Sequence, residues 1–210
     1  MKLKLLAAAV VGVVACGANG DTSPTPPTPE GREDVLYIGP GATGAGTGWG
    51  DLAPISAINA ADGTKEIWLK AGEYTIDAAL ASSVALTIRG GFTGTESAAD
   101  ERVAGARTVL DGQSADIGCE TMMTITAASG TVTVDGVKFQ NVWYRALKVS
   151  GGADIVIANC AFDSCGCYNV SGHDDLEGRG AWLSGSATAT LTVVGWDGTT
   201  VKTSTKNVTS

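Results

Sequence analysis

Three aspartates, Asp111, Asp135 and Asp163, carry side chains that can take part in acid and base chemistry, and the family resemblance given below is what singles them out. Paired carboxylates can divide proton donation and acceptance between them when a base or cation stands nearby. Asp111 and Asp135 each precede a glycine, as turns between strands require, and Asn141 and Asn159 sit at turn-like positions where their side chains can bond backbone. No Lys, Arg or Tyr cluster lies in register with the aspartates. The sequence therefore favours a non-catalytic protein, and these three carboxylates are the candidates if it is an enzyme.

The segment between Cys165 and Gly180 offers a second kind of chemistry. It contains one nitrogen donor and three carboxylates that could hold a divalent cation: His173, Asp174, Asp175 and Glu177. Their spacing matches no metal-loop pattern, and loops are normally polar. We therefore interpret the segment as a solvated acidic loop and expect no cofactor, with calcium as the one ion worth testing.

Four cysteines follow the first one, at positions 119, 160, 165 and 167. Cys160 and Cys165 take the places of apolar Val137 and Val142 in a repeat described below, so both are predicted to be buried as small apolar residues. Cys119 and Cys167 remain as the predicted disulfide, which export would permit. The spacing lacks the paired cysteines and partner histidine of a structural zinc site.

A repeat with a step of 23 residues positions these groups. Residues 132–142 map onto 155–165 with every apolar position matched, so that Phe139 falls on Phe162 and Asp163 on Gln140. Three earlier segments continue the series: 108–110 precedes 132–134 by 24 residues, 86–88 precedes 108–110 by 22, and 67–69 precedes 86–88 by 19. A second series, in which 123–125 leads 147–149 by 24, predicts more than one strand in each turn of chain.

The repeat has a direct physical interpretation. Alternate residues of a strand point to opposite faces, and one face here is apolar. Turns of chain stacked about 4.8 Å apart would bury those residues in a common core. The pattern predicts an all-β protein, with Phe139 and Phe162 stacked in its interior.

This arrangement resembles the right-handed parallel β-helices of the pectin-lyase-like class over residues 35–194. Short sequence segments at 36–38, 49–52, 66–74 and 89–96 resemble the first coils of bacterial surface β-helices related to polymorphic outer-membrane adhesins. Enzymes of the wider class use aspartates on an outer face for calcium or for catalysis, which the resemblance extends to the three aspartates above. A short capping α-helix is predicted after Asp51, with Leu52, Ile55 and Ile58 on its inner side.

The first residues indicate export. Lys2 and Lys4 precede ten uncharged residues, too few to cross a bilayer as a helix, and a lipobox-like run ends at Cys16. We predict a lipoprotein signal at 1–15, lipidation of Cys16, a Pro/Thr-rich tether at 16–34 and one domain at 35–210. The predicted location is the outer membrane or cell surface, through the lipid anchor.

Charge and the last residues complete the prediction. Loss of the signal would leave 12 basic against 22 acidic residues, a net charge of about −10, which argues against nucleic acid as a partner. The run 199–210 has no apolar face, so the last coil is predicted to be truncated, uncapped or paired with another chain. The resemblance implies an adhesin-type protein that binds a glycan, host or envelope partner; the alternative is a polysaccharide lyase or glycoside hydrolase acting on acidic polysaccharide.

Overall fold

The computed structural model describes residues 30–113, 121–142, 144–165, 179–183, 188–194 and 200–207. They form an all-β protein with three sheets. Sheet A contains β1 (Val35–Ile38), β2 (Glu66–Lys70), β5 (Thr87–Phe92), β8 (Thr131–Asp135), β11 (Asp154–Ala158), β14 (Thr188–Val194) and β15 (Thr200–Asn207). Sheet B contains β3 (Gly72–Thr75), β6 (Thr108–Asp111), β9 (Val137–Val142) and β12 (Ala161–Cys165). Sheet C contains β4 (Leu80–Ser82), β7 (Thr121–Ala127), β10 (Arg145–Gly151) and β13 (Arg179–Leu183).

The chain visits the three sheets in a fixed order. From β2 to β14 successive strands belong to sheets A, B and C in turn, and each strand pairs in parallel with the strand of the same sheet in the next round. Among the described strands only β14 and β15 pair antiparallel. Equivalent residues of successive rounds therefore lie side by side across each sheet.

The main core lies between the sheets and is built from rows of apolar side chains. Sheet A contributes Ile67, Ile88, Val134 and Ile157, sheet B Tyr74, Leu110 and Phe139, and sheet C Leu80, Met123 and Leu147, all buried. Alternation along each strand sends the intervening residues outward, as Thr133 illustrates between buried Val132 and Val134. The main core therefore consists of rows of apolar side chains that run across the strands of each sheet.

The predicted repeat is correct for residues 123–165 and wrong for the earlier segments. Ile155 pairs with Val132 and Leu147 with Met123, confirming the steps of 23 and 24. Leu110, in contrast, pairs with Phe139 of sheet B, and Ile88 is the residue paired with Val134. The segment 108–110 was thus assigned to the wrong sheet, because the connections between strands differ in length from round to round. Ile67 likewise pairs with Ile88, two residues beyond the partner that the 19-residue step predicted.

The predicted capping α-helix is also wrong. The described residues contain a 3-10 helix, Ile55–Ala60, which follows Pro54 and has no side-chain cap. Such a helix closes with hydrogen bonds over three residues and suits short connections. Asp51 instead accepts hydrogen bonds from the N–H of Ala45 (3.1 Å) and the hydroxyl of Thr47 (2.8 Å). Two expectations survive, because Ile58 is fully buried and Ile55 packs against the core.

The first edge of the structure is covered by loop and helix. The N–H of Tyr37 in β1 donates to Gly46, and the carbonyl of Tyr37 accepts the N–H of Ala53. In sheet C, the side-chain oxygen of Asn59, from the 3-10 helix, accepts the N–H of Ala81 in β4 (2.8 Å). These contacts satisfy backbone groups that an exposed edge strand would present to solvent.

The other end of sheet A contains a strand that the sequence pattern did not predict. Thr200–Asn207, although polar, forms β15 and pairs antiparallel with β14. An edge strand needs backbone pairing and tolerates polar side chains. The last parallel strand of sheet A is therefore not its edge.

A second, smaller core lies outside sheet A. It consists of Val35, Tyr37, Trp49, Trp68 and Phe92, with the rings of Trp68 and Phe92 stacked at 4.4 Å between centroids. The residues of β1 and β2 in this cluster alternate with those that face the main core, so both faces of sheet A are apolar here. We call this group the outer aromatic cluster.

Glu96 fastens the loop over the outer aromatic cluster. Its backbone carbonyl accepts the indole N–H of Trp49 (2.7 Å), and the residue is 3% exposed. Its carboxylate accepts three backbone N–H groups, from residues 93, 94 and 95, and the hydroxyl of Thr93. Desolvation opposes ionisation, but these donors outweigh it and lower the pKa of Glu96 to about 2.

Candidate functional site

A row of polar residues crosses the outer face of sheet B. Thr75, Asp111, Gln140 and Asp163 pair with one another in register on four successive strands. Tyr74, Leu110 and Phe139, immediately before the first three, are buried in the core, so the polar positions belong to the opposite face. We call this set the polar row. With strands about 4.8 Å apart, it spans roughly 14 Å.

Asp111 is the most enclosed member of the polar row. Its carboxylate accepts hydrogen bonds from the side-chain amides of Gln140 (2.8 Å) and Asn141 (3.1 Å) and from the N–H of Gln113 (2.6 Å). Desolvation works against the charge, yet these donors and the field of Lys138 leave the pKa of Asp111 below its usual value. Asp111 therefore remains ionised and holds neighbouring strands together.

Asp163 lies at the open end of the row. Its side chain is 59% exposed and forms a 2.9 Å ion pair with the ammonium group of Lys138. The hydrogen bond and charge of Lys138, followed by the hydroxyl of Ser164, lower the pKa of Asp163. The sequence pattern paired Asp163 correctly with Gln140 but did not reveal Lys138, which lies on the neighbouring strand two residues out of register with Asp163.

Asp135 stands apart from the polar row, in sheet A. Its carboxylate accepts hydrogen bonds from Arg102 (2.6 Å), Arg89 (3.4 Å) and the side chain of Asn159 (2.7 Å). The expectation that the aspartates lack basic partners is thus wrong. Arg102 comes from the long connection between β5 and β6, whose path the sequence does not reveal.

Asn141 and Asn159 do occupy turn-like backbone conformations. Both have a positive φ, of 53° and 50°, in the left-handed region that asparagine tolerates better than most residues. Their amide groups, however, donate to the carboxylates of Asp111 and Asp135 rather than to turn backbone. The same Asp–Asn contact thus recurs in two sheets, which supports a structural role for both aspartates.

Two of the four cysteines lie within the described residues, and both are free thiols. Cys160 is 1% exposed, as predicted, and burial raises the pKa of its thiol to about 12. Cys165 packs against the core but is only half-buried, and desolvation raises its pKa to about 11. Cys119 and Cys167, the predicted disulfide, fall outside the described residues.

The remaining predicted site residues also fall outside the described part of the chain. These are the lipidation site Cys16 and the cation candidates His173, Asp174, Asp175 and Glu177. Within the described ranges, no three His, Cys, Asp or Glu side chains come together as a metal-binding group. None of the helices described there is long and apolar enough to span a bilayer.

The chemistry available to the polar row follows from its electrostatics. A general acid needs a carboxyl group whose pKa is raised toward the working pH. Asp111 and Asp163 have lowered pKa values and carry fixed donors, so they suit hydrogen-bond acceptance more than proton delivery. The row offers a hydroxyl, an amide, two carboxylates and, beside them, an ammonium group.

Comparisons with protein-family models, curated proteins and solved structures give no match.

Proposed function

We propose that this chain is an exported, lipid-anchored surface protein whose parallel sheets wind as a right-handed β-helix and whose polar row binds a glycan. The fixed order of sheets A, B and C over four rounds supports the winding. The signal-like residues 1–15 and Cys16 support export and anchoring at the outer membrane or cell surface.

The binding proposal rests on the register of the polar row. Sugar hydroxyls both donate and accept hydrogen bonds, and the row presents groups of both kinds in a straight line across four strands. The outer face of sheet A is less suitable for glycan binding near its first strands, because the outer aromatic cluster covers that part of the face. An extended chain lying across the strands of sheet B would meet a polar side chain at each step.

A glycan array tests the proposal. The exported chain is compared with Gln140→Ala and Asp163→Ala, which remove partly or fully exposed members of the row, and with Thr133→Ala on the outer face of sheet A as a matched control. We expect the first two variants to lose at least about tenfold in affinity for the glycan captured by the wild type, the equivalent of 1.4 kcal/mol. The Thr133 variant should bind as the wild type does. Absence of glycan capture, or equal binding by all four proteins, would refute the assignment.

An enzyme acting on acidic polysaccharide is the second candidate, because Asp111 and Asp163 flank Gln140 in one row. It is the less favoured because both pKa values are lowered. Captured glycans and polyuronates are incubated with the protein, and unsaturated products and new reducing ends are measured. Turnover that disappears in Asp163→Asn would replace the binding proposal with a catalytic one.

A further inference from the structure

The outer face of sheet B carries more negative than positive charge. A second row of residues lies beside the polar row and pairs in the same register, on β3, β6, β9 and β12: Glu73, Val109, Lys138 and Ala161. Three carboxylates lie on the two rows, those of Glu73, Asp111 and Asp163. Lys138 supplies the only cation among these eight described positions. One positive against three negative charges leaves this face with a net charge of −2.

Asp163 neutralises this ammonium group on the side from which a ligand would approach. The two charged groups are 2.9 Å apart, and the side chain of Lys138 is 15% exposed whereas that of Asp163 is 59% exposed. The carboxylate is therefore the more accessible half of the ion pair. An anion that approaches this end of the polar row meets Asp163 before it meets Lys138.

The same face suits a sugar without charge. Val109 and Ala161, the half-buried neighbours of Lys138 in the second row, offer small apolar surfaces to the C–H groups of a sugar ring. The polar row supplies donors and acceptors for its hydroxyls. A uronate would add a carboxylate beside the exposed carboxylate of Asp163, and contacts between like charges are a common means of rejecting a wrong partner.

We propose that the polar row is selective for neutral glycans and that Asp163 is its specificity-determining residue, because it screens Lys138 from anionic sugars. The inference rests on the proposed glycan binding and names the class of glycan that is bound. Acidic polysaccharide, the substrate of the alternative enzyme, would then be a poor ligand.

The test uses an array on which each oligosaccharide is printed in two forms. One form is unmodified and neutral, and in the other the primary hydroxyls have been oxidised to carboxylates. The measured quantity is the ratio of affinities for the neutral and the oxidised form. Four proteins are compared: the wild type, Asp163→Asn, the double variant Lys138→Gln with Asp163→Asn, and Asp154→Asn, which removes the same charge from an exposed position of sheet A. Circular dichroism verifies that each variant is folded.

We expect the wild type to favour the neutral form. Asp163→Asn should lower the ratio at least about fivefold, the effect of one charge contact at about 4 Å in water. The double variant removes the cation as well and restores the net charge of the face, so its ratio should return toward that of the wild type. Asp154→Asn should leave the ratio unchanged. Raising NaCl from about 0.05 M to about 1 M should weaken the preference of the wild type, because salt screens exposed charges.

The outcomes separate this inference from glycan binding itself. If no oligosaccharide binds in either form, glycan binding is refuted and the selectivity with it. If glycans bind but the wild type favours the oxidised form or treats both alike, the selectivity alone is overturned. It is overturned too if Asp163→Asn keeps the wild-type ratio or if Asp154→Asn lowers the ratio equally. The wild-type ratio and its salt dependence decide the matter if a variant does not fold.

Discussion

The charge on Glu96 should contribute a measurable part of the stability of this protein. Its pKa falls from 4.5 to about 2 on folding, because four donors in residues 93–95 bind the carboxylate. At about 1.4 kcal/mol for each pKa unit, the shift corresponds to about 3 kcal/mol of free energy of unfolding. Since the folded pKa is lowered, this stability is complete above pH 4.5 and is lost as the pH falls toward 2.

Glu96→Gln isolates that contribution. Glutamine keeps one acceptor oxygen but turns an NH₂ group toward N–H donors, so we expect a loss of about 2–3 kcal/mol at pH 7. The difference from the wild type should shrink below pH 4.5 and largely vanish near pH 2, where the wild-type carboxyl also becomes protonated. Urea unfolding at a series of pH values measures both proteins under identical conditions.

Glu101→Gln is the matched control. Glu101 also accepts backbone hydrogen bonds, from Ser97 and Ala98, but it is exposed, so its replacement should cost much less. The protein contains many other carboxylates, so the relevant quantity is the difference in free energy of unfolding between variant and wild type at each pH. If the difference in free energy of unfolding between Glu96→Gln and the wild type stays constant from pH 7 to pH 2, the charge of Glu96 is not what stabilises the loop.

Three further predictions concern the core, the ion pairs and the anchor. Phe139→Ala should lower the free energy of unfolding in urea by about 3–5 kcal/mol, because Phe139 is fully buried. Phe162 stacks on Phe139 at 5.2 Å but is only half-buried, so Phe162→Ala should cost clearly less. Equal losses would contradict the observed burial. Asp135→Ala should cost about 1.5–3 kcal/mol in the same assay, since Arg102 loses its carboxylate partner and Arg89 keeps only Glu66, whereas exposed Asp154→Ala should have little effect. Cys16→Ser should abolish incorporation of radiolabelled palmitate in the producing bacterium, and equal label in both proteins would refute lipidation.

The alternation of apolar and polar residues along single strands explains which parts of the fold could be predicted from the sequence. Val132 and Val134 lie two residues apart on one face of a strand, and the same spacing at Ile155 and Ile157 identifies the next round. Such patterns depend on neighbouring residues alone, so they predicted the all-β class, the pairing of Phe139 with Phe162 and the burial of Cys160. They also placed Asp163 beside Gln140.

Connections of unequal length explain most of what could not be predicted. Arg102 reaches Asp135 from a connection that has no strand pattern, and Lys138 reaches Asp163 across a diagonal between strands. The steps before residue 110 failed for the same reason. β15 was missed for a different one: its polar residues give no alternation of apolar and polar character, while an edge strand is specified by backbone pairing.

The coverage of β1 also bears on how this protein would respond to mechanical load. Strands stacked across a sheet are held by hydrogen bonds that run along the stack, so a pull on one end tends to peel the outermost strand first, a few bonds at a time. β1 is bound on one side by β2 and on the other by the loop around Gly46 and Ala53. A force transmitted through residues 16–34 would therefore meet a strand secured along both edges, and the end nearest the proposed anchor would resist peeling better than a bare strand could.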